Sequence, residues 1–155
     1  MNLTYLLTYK RATCNNFLLK KLYSLFLRPI LSYHGSYIGS GAKFKNMAVF
    51  PHGITGIFIS SGAQIGLNCV IFHQVTIGSN TLKNSKQYGA PRIGDNVYIG
   101  TGAKIIGNVL IGNNVRIGAN AVVVTDIPDN ATVVNQPSRV IIKNGNRDNS
   151  FASFK

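Results

Sequence analysis

The sequence predicts an all-β solenoid, a parallel β-helix of hexapeptide repeats preceded by a short helical segment. Two observations carry that prediction: a six-residue rhythm held over residues 59–127, and turn-forming residues at a fixed place in each repeat. Hexads start at Ile59, Ile65, Ile71 and Ile77, then resume after a break at Ile93, Ile99, Ile105, Ile111, Ile117 and Val123. All ten open on a β-branched residue, the type that packs well on a pleated surface. Nine of the ten fourth positions are Gly, Asn or Asp, which tolerate the left-handed backbone of a sharp corner, and Gln74 is the exception. Fifth positions are small or β-branched throughout, from Ala63 and Cys69 to Ala121 and Ile127. Each hexad therefore supplies one short strand and one corner, with two side chains turned inward. Three hexads close a triangular coil, and coils stack at the inter-strand spacing of about 4.8 Å. The competing reading is an ordinary all-β domain with glycine-rich turns, and ten hexads in one phase argue against it.

In chain order, residues 1–33 lack the rhythm and form an N-terminal helical segment, residues 34–142 carry the β-helix, and residues 143–155 are a polar tail. Phe17 to Arg28 reads as a helix with Leu18, Leu22, Leu25 and Phe26 on one face, Lys20, Lys21 and Arg28 largely off it, and Pro29 ending the run. Two roles compete for this helix. It caps the open strand edges of the solenoid or packs on a sister subunit, or it lies on an anionic membrane surface. Capping is preferred, because an unprotected β-helix end invites aggregation.

The rhythm breaks twice, and departures from a strict repeat are where function is expected. Between Phe50 and Ile59 the step is nine residues instead of six, and this excursion contains His52. His73 occupies the same third hexad position one coil later, and His34 lies 18 residues before His52, so the three histidines form a ladder up one wall if the first coil includes residue 34. The competing reading is of outward imidazoles merely solvated or stacked, which the excursion weakens for His52. The second break, between Ile77 and Ile93, is a polar loop with Lys83, Lys86, Tyr88 and Arg92, placed to contact a ligand or a sister subunit.

Composition narrows the partners. Sixteen Lys and Arg stand against four Asp and no Glu, a net charge of +12 that favours anionic partners such as phosphorylated cofactors, acidic glycans or phospholipid headgroups. Nucleic acid is not expected, since no recognition helix or zinc-finger spacing is present and the charges are scattered. Two cysteines far apart make no disulfide framework, no secretory signal is evident, and no apolar run is long enough to span a bilayer. The expected location is cytoplasmic or, on the second reading of the helix, peripheral at the inner face of a membrane.

The stretches HGITGIFIS, VIFHQVTIGSNT, PRIGDNVYIGTGAKIIGNVLIGNNVRIGANAVV and DIPDNATVVNQPSRVI carry a resemblance. Residues 38–142 resemble the hexapeptide-repeat acyltransferases with a left-handed β-helix, and within them the serine O-acetyltransferase-like branch that includes acetyltransferases of polysaccharide biosynthesis. The resemblance implies the left-handed coil, a homotrimer, acetyl-coenzyme A bound between neighbouring subunits, and a catalytic histidine that maps onto His52. It also maps cofactor contacts onto Gly78, Asn80, Thr101, Ala103, Ala119, Arg116 and Arg139. Three departures bear on the acceptor: Pro51 stands where serine acetyltransferases place Asp before the catalytic histidine, Tyr37 replaces an orienting Asp, and Gly89-Ala90-Pro91 replaces their Arg-His-Pro. These departures favour a sugar or glycan hydroxyl, in surface polysaccharide biosynthesis, over serine.

Transfer of an acetyl group from a thioester to an alcohol needs a base for the hydroxyl proton and donors for the oxyanion. No acidic residue precedes Asp95, so histidine, whose charge changes nearest neutrality, is the candidate base. His52 is assigned that role by direct transfer, with a backbone carbonyl expected to hold its tautomer and His73 serving as a control position. A covalent acyl-enzyme is disfavoured because Cys69 falls at an inward position. The rivals are a serine O-acetyltransferase, a metal-dependent hydratase using three histidines, and a non-catalytic assembly module. No metal is expected.

Overall fold

The computed structural model describes residue 14, residues 16–46 and residues 48–136. Five coils follow one helix, α1 (Phe17–Tyr33). Coil one holds β1 (Tyr37–Ile38), β2 (Lys43–Phe44) and a bridge at Val49; coil two holds β3 (Phe58–Ile59), β4 (Gln64–Ile65) and β5 (Val70–Ile71). Coil three holds β6 (Thr76–Gly78), β7 (Arg92–Ile93) and β8 (Tyr98–Ile99), and coil four holds β9 (Lys104–Ile106), β10 (Leu110–Ile111) and β11 (Arg116–Ile117). Coil five holds β12 (Val122–Val123), a bridge at Ile127 and β13 (Thr132–Val133). Stacked coil on coil, these form three parallel walls: β1-β3-β6-β9-β12, then β2-β4-β7-β10, then β5-β8-β11-β13.

Register explains why the hexads open on β-branched residues. Ile38, Ile59, Ile77, Ile105 and Val123 lie one above another inside the first wall. Phe44, Ile65, Ile93 and Ile111 do so in the second, and Ile71, Ile99, Ile117 and Val133 in the third. Nearly all are fully buried, each worth about 1.5–3 kcal/mol relative to exposure. At the corner between the second and third walls, Asn68, Asn96, Asn114 and Asn130 take φ from 54° to 60°, a conformation asparagine tolerates. Their amides bond coil to coil, Asn96 to Asn114 at 3.2 Å and Asn114 to Asn130 at 3.0 Å. Gln74, the odd fourth-position residue, adopts φ 60° all the same.

The two breaks stand where the sequence places them. Phe58 pairs with Tyr37, 21 residues back, and Lys104 pairs with Thr76, 28 residues back, whereas Val122 pairs with Lys104 at the regular 18. The repeat departs from expectation in two ways. At the corner between the first and second walls, the fourth-position residues Gly62, Asn80, Asn108 and Asp126 do not take the left-handed backbone. Thr81, a fifth-position residue expected to turn inward, is exposed at the start of the loop, and buried Pro91 fills that place when the wall resumes. The loop is tied at its neck by reciprocal backbone bonds between Asn80 and Gly89 of 2.8 and 2.9 Å.

The helix also departs from its sequence reading. Asn16 caps it, accepting from the N–H of Leu18 and Leu19. Pro29 lies inside it rather than ending it. The missing N–H costs one rung, at the carbonyl of exposed Leu25, and burial of Leu27 and Leu31 against the first coil holds the remaining turns. Leu18, Leu22, Leu25 and Phe26, assigned to the packing face, are exposed at 74%, 48%, 66% and 59%. Within the chain the helix docks through Leu27 and Leu31, which leaves that stripe uncovered on the side where a sister subunit was the other expected partner. No helix among the described residues is long and apolar enough to cross a membrane.

Candidate active site

The histidines gather at the corner between the third wall and the first. His52 sits in the turn that joins Val49 to β3, and His73 sits directly above it between β5 and β6. The excursion is stitched on both sides. Gly56 donates to the carbonyl of His34 at 3.0 Å, and Gln74 donates to the carbonyl of Thr55 at 2.9 Å. The hydroxyl of buried Ser36 bonds the carbonyl of Ile54 and accepts from the N–H of Ile57. Gly53, at φ 72°, makes the backbone reversal beside His52, and only a residue without Cβ takes that angle freely.

His52 is exposed and His73 half-buried, and their Nδ1 atoms stand 3.1 Å apart, a hydrogen bond. The rings of Phe72 and His52 pack edge to face at 5.2 Å and 87°, so His52 touches both Phe72 and His73. The expected ladder of three is thus a pair. His34 caps α1, and its ring packs edge-on against Tyr33. Among the described residues no three side chains of the metal-ligating types gather.

The proposed cofactor contacts fall in different places. Thr101 and Ala119 lie on the same edge as the two histidines, one and two coils above His73; Asn120 donates to the carbonyl of Thr101 at 2.8 Å. Arg116 is exposed on the outer face of the third wall, between Tyr98 and Thr132 in register. Gly78 and Asn80 lie on the next edge, across the first wall. Gly78 packs under the next coil, where a Cβ would come within 2.9 Å of Ile106. The Asn80 amide is already spent within the loop, accepting from Leu82 N–H and donating to Ser85, both at 2.9 Å. Ala103 is wholly buried, its N–H given to Gly100 and its carbonyl to Thr76, so it presents no polar group to a ligand. Arg139 lies outside the described residues.

Cys69 points into the core with its thiol on the carbonyl of Gly94 at 3.3 Å, and burial pushes the thiol pKa up. It has neither the exposure nor the thiolate that a covalent intermediate requires. What sequence reasoning missed is the partnership of His52 with His73. The signal is the shared third hexad position one coil apart, which puts the two rings on one corner but does not specify a contact between them.

Comparison with known proteins adds the lineage. Residues 90–125 match the model for the bacterial transferase hexapeptide (six repeats). The serine acetyltransferase of Bacillus pumilus is 36% identical over 135 residues, covering 84% of this chain and 60% of that protein. Serine acetyltransferase isoform 3 of Entamoeba histolytica, solved in complex with cysteine, superposes with a TM-score of 0.65 at 34% identity over 79% of this chain and 44% of that one. The Neisseria gonorrhoeae serine acetyltransferase, solved in complex with serine, gives 0.59 at 34% identity over 80% and 46%. The chain thus spans between two fifths and three fifths of the length of these relatives. They overturn the expected polysaccharide branch and the sugar acceptor, the latter argued from Pro51, Tyr37 and the Gly89-Ala90-Pro91 stretch. Three replaced side chains, Pro51 and Tyr37 exposed and Ala90 half-buried, weigh less than relatedness over most of the chain; Tyr37, for one, stacks outward on Phe58 at 5.9 Å. By its repeat and its relatives, the chain belongs to the hexapeptide-repeat transferases.

Proposed function

We propose that this protein is an acetyl-coenzyme A-dependent O-acetyltransferase whose acceptor is the hydroxyl of serine, with His52 as general base. The observation that carries the reading is the exposed His52 ring on a stitched three-residue excursion, aligned with Thr101 and Ala119 along one edge. Similarity to proteins named serine acetyltransferases supports the acceptor and the co-substrate. We also infer the left-handed sense of the coils from that likeness, together with the division into residues 1–33, 34–142 and 143–155.

In the proposed reaction, Nε2 of His52 takes the serine hydroxyl proton as the oxygen attacks the thioester carbon. The tetrahedral oxyanion is held by backbone N–H groups, and its collapse breaks the C–S bond. The proton on His52 then passes to the departing thiolate, leaving O-acetylserine, coenzyme A and a neutral imidazole. Gly78 and the loop of residues 79–90 lie across the first wall from His52. That separation favours a site completed by a neighbouring copy, as in the homotrimer expected from the family resemblance.

General-base catalysis is worth roughly 10²–10⁴-fold in rate. His52→Ala should lose that much turnover with serine and acetyl-coenzyme A while still binding the co-substrate. Near-normal turnover in that variant, or no O-acetylserine formed by the unaltered protein, overturns the reading.

A further inference from the structure

We infer that His73 is the positioning residue for His52, holding it as the Nδ1–H tautomer and stabilising its charged form, a role in which charge-relay sites ordinarily use a carboxylate. The inference rests on the reading of His52 as base. It replaces the backbone carbonyl anticipated from the sequence, because the group within hydrogen-bond distance of His52 Nδ1 is Nδ1 of His73, at 3.1 Å.

The direction of that bond follows from the chemistry. Two neutral imidazoles can share one proton either way. If His73 donates, the proton of His52 sits on Nε2 and the base has no lone pair there. If His52 donates from Nδ1, its Nε2 is free to accept, and His73 carries its own proton on Nε2. Once His52 has taken the substrate proton both of its nitrogens are donors, so only the second arrangement survives. The contact then becomes a hydrogen bond from a cation, about twice as strong as a neutral one. It therefore strengthens as charge develops, which is what lowers a barrier.

The surroundings of His73 suit a positioning role. Its carbonyl accepts from the N–H of Gly102 at 3.1 Å, and the left-handed turn at Gln74 follows immediately. Lys104 clamps that turn, donating to the carbonyls of Gln74 and Gly102 at 2.8 Å each. The imidazole thus projects from one of the best-tied corners of the solenoid, while His52 stands on the added excursion. Among the described residues, carboxylates do not compete for the place. Asp95 is engaged with Lys45 and Leu67, Asp126 with Leu110, and Asp129 with Asn113, all away from this edge.

The test uses the full chain with three substitutions and one spectrum. His73→Phe keeps a ring on the corner but has no acceptor, and should lower kcat about 10–100-fold, the worth of one hydrogen bond to a charged group, with the KM for acetyl-coenzyme A little changed. His73→Asn places a carbonyl oxygen near the lost Nδ1 and should recover most of that loss. Long-range proton–nitrogen correlation on histidine-labelled protein should report His52 as Nδ1–H in the unaltered chain and in His73→Asn, shifting toward Nε2–H in His73→Phe. If His73→Phe does not fold, the Asn variant and the spectrum of the unaltered chain still decide the matter. An Nε2–H His52 in the unaltered protein, or full kcat in His73→Phe beside a dead His52→Ala, refutes the positioning role and leaves the base intact. Activity in His52→Ala instead removes the reading on which the role depends.

Discussion

Gly66 offers a direct measure of how closely the coils must approach. A Cβ at this position would lie 2.2 Å from the carbonyl oxygen of Gly94, 2.5 Å from its carbon and 2.4 Å from Asp95 Oδ1. Backbone atoms cannot swing aside as a flexible side chain can, so Gly66→Ala must push coil two away from coil three. Three hydrogen bonds span that gap: Gly66 N–H to Ile93 at 3.0 Å, Leu67 N–H to Asp95 at 2.8 Å, and Asn96 N–H to Leu67 at 2.8 Å. Overpacking costs about 1–3 kcal/mol and each of the three strained bonds up to about 1, which gives about 1–6 kcal/mol in all. Gly35→Ala is the comparison, because its φ of 58° is left-handed yet no atom lies within 4 Å of an added Cβ. It should cost only the conformational penalty of about 1–2 kcal/mol. Denaturant unfolding followed by circular dichroism, at one protein concentration because assembly shifts apparent stability, separates the two. A Gly66→Ala variant no less stable than Gly35→Ala would refute the argument that coil spacing, rather than backbone angle, demands glycine at that corner.

Two further outcomes are expected. Light scattering on the full chain should report a trimer at micromolar concentration, and a stable monomer would count against a site completed by a neighbouring copy. Asp95 accepts from the N–H of Leu67 and from Lys45, and these bonds hold its carboxyl below the ordinary 3.8. A carboxylate held down binds fewer protons when folded than unfolded, so its contribution is complete above about pH 4 and fades as pH falls through the lower folded value. Acid titration of unfolding should therefore be shallower below pH 4 in Asp95→Asn, and an unchanged profile would show that these bonds do not couple to folding.

Much of the architecture was legible because a solenoid writes its geometry into its period. A hexad states locally which side chain turns inward and which residue turns the corner, and the same answer recurs at Ile65, Ile93 and Ile111. The two breaks were equally plain, since a lost register shifts every later match. His52 could be singled out on those grounds, and so could the equivalence of His73.

Other features depend on contacts between segments that the period does not describe. Within the chain α1 is covered at Leu27 and Leu31 and not along the Leu18–Leu22–Leu25 stripe, because where the helix crosses the first coil decides which apolar residues are buried there. Pro91 inherits the inward place of Thr81 because the loop leaves and re-enters the wall at its tied neck. Sequence supplied both histidines but not the bond between them. A coil spacing brings two rings into the same neighbourhood; the stitching of the excursion to Ser36 and His34, the clamp by Lys104 and the contact with Phe72 bring two particular nitrogens within 3.1 Å. Periodicity thus determined the walls and the position of the candidate base, while its partner was decided by tertiary packing, since hydrogen bonds need a distance and a ring orientation that no local pattern encodes.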